Sequence, residues 1–154
     1  MKVNSGLSND AKTAVAERLA VLLADIHQLY IKTLGFHWNV EDSRFLLLHE
    51  LFETGYIQLA KDMDEVAERI RKLGILAPGS IQQLTSLRRL QDAHLVKVGD
   101  QMIEILARDY EQLEGWLRED IHLADQMGDP GTADMLTAIL GRYEKQSWFL
   151  RSHL

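Results

Sequence analysis

Apolar residues recur every three or four positions along most of the chain, which is the spacing of one face of an α-helix. The first such stretch follows the potential capping residues at positions 8–10 and continues to Trp38. Its apolar positions are Val15, Leu19, Leu22, Ile26 and Leu29. Polar residues 39–43 interrupt the pattern. We therefore predict a first long helix here, followed by a short turn in which Ser43 caps the next helix.

Three further stretches show the same periodicity. The second has the strongest pattern, and Gly74 follows it as a residue type that commonly ends helices. Its apolar positions are Phe45, Leu48, Phe52, Leu59, Met63, Val66, Ile70 and Leu73. The third begins at Val96 and ends at Gly128. The fourth begins at Asp129-Pro130, an N-cap followed by a residue suited to the first helical position, and nearly reaches the C-terminus. Four long helices are therefore predicted.

Residues 75–93 separate the second and third of these helices and lack a long period. Because so long an irregular segment is unusual in a compact domain, we predict a short helix near Ile81 to Leu87. Two short connections and one long one are typical of ferritin-like four-helix bundles with a single crossover. The expected fold is therefore an all-α, ferritin-like four-helix bundle, a single domain over residues 1–154 with a short tail at residues 1–8.

Composition narrows the possible chemistry of this bundle. The chain has 154 residues, no cysteine, two prolines and a formal net charge of −6. Without cysteine it has no disulfide framework, thiolate zinc site or cysteine nucleophile. The acidic balance speaks against nucleic-acid binding driven by charge. We see neither a signal peptide nor 18 consecutive apolar residues, and we expect a cytoplasmic protein that does not span a membrane.

The second helix also carries two polar pairs at a spacing of four residues. These are His49/Glu53 and Asp64/Glu68, which place a potential metal ligand on each of two successive turns. His49 and Asp64 lie about 22 Å apart along a helix, so the pairs cannot hold one metal within one chain. Taken singly, each pair also fits an ordinary solvated helix surface.

The order of these residues is symmetric about the midpoint between Ile57 and Ala60. If two copies of this helix cross antiparallel on a two-fold axis at that midpoint, His49 faces Glu68 and Glu53 faces Asp64. Each end of the contact then holds a ligand set drawn from both subunits. We therefore predict a metal site that exists only in a dimer.

His37 adds a second nitrogen ligand to this predicted site. It lies just before the first turn and His49 lies just after it, so an antiparallel hairpin brings the two together. Alternatively, His37 is a core histidine beside Trp38. The combined set of two histidines and three carboxylates contains no sulfur, which favours iron, manganese or zinc over copper(I). Mixed nitrogen and oxygen ligands with open positions suit ferrous iron and its oxidation.

Several motifs resemble the Dps family of mini-ferritins, and the resemblance covers nearly the whole chain. They are Phe36-His37-Trp38-Asn39-Val40, Phe45, Leu48-His49, Leu51-Phe52-Glu53, Asp64-Glu65-Val66-Ala67-Glu68-Arg69-Ile70-Arg71, Ala77-Pro78-Gly79-Ser80 and Glu144-Lys145-Gln146-Ser147-Trp148. One departure concerns loop shape: the glycine usual in the first turn is Asp42 here.

The resemblance implies a shell of twelve identical bundles that oxidises Fe(II), preferably with hydrogen peroxide, and stores the ferric mineral inside. It implies that His37, His49 and Glu53 come from one subunit and that Asp64 and Glu68 come from its two-fold mate. Trp38, beside the site, would take up a one-electron oxidising equivalent. Zinc or manganese could substitute for iron, and dioxygen could replace peroxide.

Asp125, Asp129 and Asp134 cluster around the last turn. In the family, acids near this turn line pores through which ions enter the shell. An equally good interpretation is local: Asp129 caps the last helix, and Asp134 interacts with the helix dipole.

Two other functions compete with iron oxidation. The first is DNA protection by binding to the nucleoid, but the net charge predicts weak or absent DNA binding. The second is a metal-free structural bundle, in which replacing His49 or Asp64 changes only stability. The ligand set favours iron oxidation.

Overall fold

The computed structural model describes residues 4–94 and 96–154, and the first three residues of the predicted tail lie outside this range. Five helices follow one another, and no strand occurs in these residues. The helices are α1 (Asn9–Asn39), α2 (Phe45–Lys72), α3 (Ile81–Leu87), α4 (Gly99–Gln126) and α5 (Pro130–Arg151). The four long helices form a bundle and α3 lies within the long crossover, as the periodicity predicts.

Two helical hairpins, α1 with α2 and α4 with α5, make the closest packing in the bundle. α1 begins where predicted, since the Ser8 side chain accepts a hydrogen bond from the backbone N–H of Ala11 at 3.1 Å. The periodic apolar positions of all four long helices meet in one core, which includes Leu22, Phe52, Leu106 and Tyr143. The hydrophobic stripes therefore determine which helix faces point inward.

The first turn differs from the prediction in two details. Ser43 does not cap α2, because the residue before that helix is Arg44, whose side chain makes no capping bond. Instead, the Asp42 side chain accepts a hydrogen bond from the backbone N–H of Arg44 at 2.8 Å, an arrangement that aspartate favours in turns. Phe45, predicted to lie in the core, is 46% exposed because it opens the helix at the edge of the bundle.

The crossover is tied to the bundle by buried polar groups. The fully buried Asp25 carboxylate accepts hydrogen bonds from the backbone N–H groups of Arg89 at 2.6 Å and Leu90 at 2.9 Å, and from Arg89 Nε at 2.8 Å. Lys32 Nζ donates to the Gln91 carbonyl oxygen at 2.7 Å. These bonds satisfy backbone groups that the irregular segment leaves without helical partners. Val96 lies in this crossover, before α4 and not inside it as predicted.

The predicted helix ends agree with the backbone. Gly74 and Gly128 have φ angles of 90° and 71°, which glycine adopts without steric cost. The Asp129 side chain caps α5 by accepting a hydrogen bond from the backbone N–H of Thr132 at 3.1 Å, with Pro130 at the first position. The interpretation of Asp129 as a cap is thus confirmed.

By length and composition, α1 resembles a membrane-spanning helix. However, 61% of its most apolar window is buried inside the bundle, and core helices of soluble proteins pass the same test. Packing against the other helices accounts for its apolar character.

Candidate metal centre

The two candidate histidines form a reciprocal pair across the α1–α2 hairpin. His37 Nδ1 lies 2.9 Å from the carbonyl oxygen of His49, and His49 Nδ1 lies 2.9 Å from the carbonyl oxygen of His37. Their rings stack with centroids 3.7 Å apart and an interplanar angle of 20°. The hairpin thus brings together side chains that are twelve positions apart in sequence.

These hydrogen bonds determine which nitrogen of each imidazole ring carries the hydrogen. A carbonyl oxygen only accepts hydrogen bonds, so each Nδ1 carries the hydrogen and donates it. In the neutral imidazole the lone pair is then on Nε2, the atom available to a metal ion. Histidine ligands in metal sites commonly have their second nitrogen oriented by a backbone carbonyl in this way. The pair is therefore arranged as two nitrogen ligands with defined tautomers.

Aromatic rings enclose the pair on two sides. Phe45 stacks on His49 with centroids 5.0 Å apart, and Tyr56 meets His37 edge-on at 5.2 Å. Tyr30 in turn contacts Tyr56 at 6.1 Å. His37 itself is buried, at 8% exposure, and His49 is half-buried. The rings restrict the imidazoles to a few orientations, so little ordering remains for ligand binding.

Glu53 lies one helical turn beyond His49, on the exposed side of α2. Tyr56 Oη donates a long hydrogen bond of 3.5 Å to its Oε1. Partial burial, together with the negative charge of Glu53, raises the pKa of the Tyr56 phenol above its usual value. Sequence reasoning missed Tyr56, although its position three residues after Glu53 on the same helix is a detectable signal.

We use two names for the parts of α2: residues 45–57 are the histidine half and residues 60–72 are the carboxylate half. Asp64 and Glu68 are exposed in the carboxylate half, where Lys72 Nζ lies 3.5 Å from Glu68 Oε2. In the described part of the chain, no group of three or more potential ligands is close enough to hold a metal ion. The structure thus brings His37 and His49 together and leaves Asp64 and Glu68 apart from them.

The contact predicted at the middle of α2 is exposed in the isolated chain. Ile57 is 44% exposed and Ala60 is also exposed. An apolar residue on an exposed helix face beside a small one leaves room for a second helix to approach. Trp38, at 68% exposure, also points away from the core, next to His37.

The three acids around the α4–α5 turn occupy different environments. Asp125 and Asp134 are exposed, whereas Asp129 is only 2% exposed. Asp129 accepts hydrogen bonds from Arg69 Nη2 at 2.6 Å and from the Thr132 hydroxyl at 2.6 Å. Its charge is therefore paired within the chain, while the other two acids face solvent.

The chain shares its fold and much of its sequence with known ferritin-like proteins. The ferritin-like domain family matches residues 16–154. The crystal structure of Dps from Vibrio cholerae, described as a member of a broad superfamily of ferritin-like diiron-carboxylate proteins, superposes with a TM-score of 0.93 at 28% identity. That superposition covers 99% of this chain and 96% of the other. Dps from Mycobacterium smegmatis gives 0.94 at 28% identity, over 100% and 93% of the two chains.

Sequence relatives narrow this class to one family. The DNA protection during starvation protein of Agrobacterium fabrum is 34% identical over 155 residues, or 99% of this chain and 95% of that protein. A low temperature-induced protein of Nostoc is 36% identical over 99% of this chain and 87% of its own length. The chain belongs to the Dps family of ferritin-like proteins.

Proposed function

We propose that this protein is a mini-ferritin that oxidises Fe(II), preferably with hydrogen peroxide, and stores the ferric product inside a shell of twelve subunits in the cytoplasm. Dioxygen is the slower alternative oxidant. The observation that carries the proposal is the reciprocal pair of His37 and His49, whose Nδ1 atoms are both occupied and whose Nε2 atoms are free. By removing Fe(II) and peroxide together, the reaction would protect the cell against oxidative damage.

The proposed site takes its ligands from two chains. His37, His49 and Glu53 of one subunit bind Fe(II) together with Asp64 and Glu68 of the two-fold mate. Two observations support this arrangement. The surface around Ile57 and Ala60 is exposed, and the two ligand groups of one helix lie about 22 Å apart. Nitrogen and carboxylate ligands suit Fe(II), and zinc or manganese would compete for the same positions.

The redox balance of the reaction is simple. Two Fe(II) ions each lose one electron, peroxide accepts both electrons with two protons, its O–O bond breaks and two waters form. When only one Fe(II) is present, a second electron is needed, and the exposed indole of Trp38 beside His37 would supply it. This prevents the release of a hydroxyl radical.

Acidic charge supports the movement of iron. Each chain has a formal charge of −6, and clustered negative charge raises the local concentration of cations. Asp125 and Asp134 are available to line a pore where subunits meet, and Asp129 shapes the same turn through its bonds to Arg69 and Thr132. Asp125 and Asp134 form the proposed pathway by which Fe(II) enters, and Asp129 supports that pathway by holding the turn in place.

Mixing two inactive chains tests the shared site. His49→Ala removes a nitrogen ligand and Glu68→Ala removes a carboxylate, so shells of either variant alone should oxidise Fe(II) poorly. In co-expressed shells, about a quarter of the sites receive both wild-type ligand groups, and activity should return to roughly that fraction. Stopped-flow absorbance after adding peroxide to anaerobic Fe(II)-loaded shells measures it. A mixture no more active than its parents would contradict the shared site.

DNA protection by direct binding is the second candidate, favoured by the names of the relatives. The same His49→Ala variant separates the two. If iron chemistry protects DNA, this variant should fail to protect a plasmid from Fe(II) and peroxide. If shielding protects it, the variant should work as well as the wild type.

A further inference from the structure

Two arginine side chains attach the carboxylate half of α2 to α5. Arg69 Nη2 donates to Asp129 Oδ1 at 2.6 Å, and Arg69 Nε donates to the Thr132 hydroxyl at 2.8 Å. A methyl group on Gly131 would lie 3.2 Å from Arg69 Nη2, so the guanidinium rests against the first turn of α5. Arg69 therefore joins the end of α2 to the start of α5.

Arg142 makes the second attachment from α5. Its Nη2 donates to Asp62 Oδ1 at 2.8 Å and to Glu65 Oε2 at 2.8 Å, and its Nε donates to Asp62 Oδ1 at 3.1 Å. The Asp62 side chain is fully buried and also accepts from Gln58 Nε2 at 3.0 Å. A buried carboxylate bonded to a guanidinium is costly to separate, so this attachment resists displacement.

The attached face of α2 differs from the face that carries the proposed ligands. At about 100° per residue, Asp62, Glu65 and Arg69 share one stripe of the helix. Asp64 and Glu68 lie roughly a third of a turn away from it. The arginines thus restrain the carboxylate half without contacting the ligand carboxylates.

The backbones of α2 and α5 approach each other less closely than those of α1 and α2, although their buried side chains share one core. The rotation of α2 relative to α5 therefore depends on side chains that reach from one helix to the other. A rotation of about 10° would move a carboxylate lying about 5–6 Å from the helix axis by roughly 1 Å. A misplacement of that size is enough to lower a reaction rate about 100-fold.

We infer that Arg69 and Arg142 are positioning residues for the shared metal site. By fixing the rotation of the carboxylate half against α5 of their own chain, they aim Asp64 and Glu68 at the histidines of a second subunit. This inference rests on the proposed shared site. It predicts that loss of an arginine impairs the sites to which that chain gives carboxylates and spares the sites to which it gives histidines.

Subunit mixing separates these two kinds of site. An Arg69→Gln chain is co-expressed with a His49→Ala chain or with a Glu68→Ala chain. In the first mixture, about a quarter of the sites combine histidines of the Arg69→Gln chain with unaltered carboxylates. In the second mixture, every competent site takes its carboxylates from the Arg69→Gln chain. Wild-type chains mixed with the same two partners give the reference rates, with about half of the sites intact in each.

We expect the two mixtures to lose Fe(II) oxidation rate to different extents. The first mixture should oxidise Fe(II) at about half of its reference rate, and the second at least about tenfold below its reference. A general loss of folding would lower both mixtures alike, so equal losses would overturn the inference. Equal, undiminished rates would overturn it too. The mixture of His49→Ala with Glu68→Ala reports separately on the shared site itself.

Three further variants test the inference independently of Arg69→Gln. Arg142→Gln should repeat the unequal pattern from the other attachment. Arg71→Gln makes the same charge change two residues further along α2, where Arg71 Nη1 donates to the Ile75 carbonyl oxygen, and it should leave both mixtures at their reference rates. Arg69→Lys should restore part of the rate because it keeps the charge near Asp129 but not the two-point geometry. Any lasting asymmetry in Arg71→Gln would also overturn the inference.

Discussion

The two halves of α2 differ in how firmly a single chain holds their candidate ligand side chains. In the histidine half, His49 is bonded to His37 of its own chain, with Phe45 stacked on His49 and Tyr56 edge-on to His37. In the carboxylate half, Asp64 and Glu68 extend into solvent. The difference indicates that one chain positions its two histidines by itself, whereas under the proposed function its carboxylates act only where another chain meets them.

The largest expected effect comes from removing the carboxylates while keeping the histidines. Asp64→Asn with Glu68→Gln should lower Fe(II) oxidation by about 100-fold or more, since losing even an outer-sphere partner costs about 10–100-fold. Weak Co(II) binding should persist at the histidine pair, because its tautomers are set within the chain. Isothermal titration calorimetry on the assembled shell measures it.

Adding His49→Ala to that double variant is the matched control and should remove the remaining Co(II) binding. If the double variant binds no Co(II), the histidine half is not prepared independently and the comparison fails.

A second, smaller effect concerns the glycines beside each half. A methyl group on Gly99 would overlap the Leu48 side chain and lie 2.5 Å from Asp42 Oδ2, at the end of α2 that carries His49. Gly99→Ala should therefore destabilise the protein by about 1–3 kcal/mol through overpacking. Denaturant unfolding measures the loss.

Gly131→Ala is the counterpart at the carboxylate half. There the nearest atom, Arg69 Nη2, would lie 3.2 Å from the added methyl group, so the overlap is less severe and the loss of stability should be smaller. A larger loss for Gly131→Ala than for Gly99→Ala would contradict the closer packing around Gly99.

The smallest effect is a pH dependence at the start of α2. Hydrogen bonds from the Arg44 side chain and backbone lower the pKa of Asp42 well below its usual 3.8. Its ionised form therefore contributes stability above pH 3.8, and this contribution is lost as the pH falls toward the folded-state pKa. The difference in unfolding midpoint between wild type and Asp42→Asn should be present at pH 7 and shrink below pH 3.8. A constant difference would exclude this role.

Much of the fold could be predicted because it follows from local patterns of apolar residues in the sequence. The three- and four-residue spacing of apolar positions defines the long helices, and a crossover too long to be irregular predicted α3 at residues 81–87. The incorrect predictions concern the ends of helices, whose positions depend on tertiary hydrogen bonds. Asp42, not Ser43, supports the turn before α2, and Val96 lies outside α4. Partners distant in sequence join these two segments, since Arg44 donates to Asp100 and the backbone N–H of Glu41 donates to the Lys97 carbonyl oxygen.

The candidate site was predictable to a different degree. The residue types and spacings on α2 indicate the ligands and the two-fold relation, which remain predictions. The reciprocal bonding of His37 and His49 requires the register of two packed helices, which a single helical pattern does not contain. Likewise, the sequence alone indicates only that Arg69 is a cation near a helix end. Its partners Asp129 and Thr132 lie sixty or more positions away in the chain.

The uninterrupted helical course of α2 has a consequence for a single chain. A rigid helix holds His49 and Asp64 about 22 Å apart, so no flexing can complete the proposed site within one molecule. A newly made or stray subunit would then be unable to start iron oxidation alone. Oxidation would begin only after a second subunit has supplied its carboxylates, so a lone chain would form no ferric product.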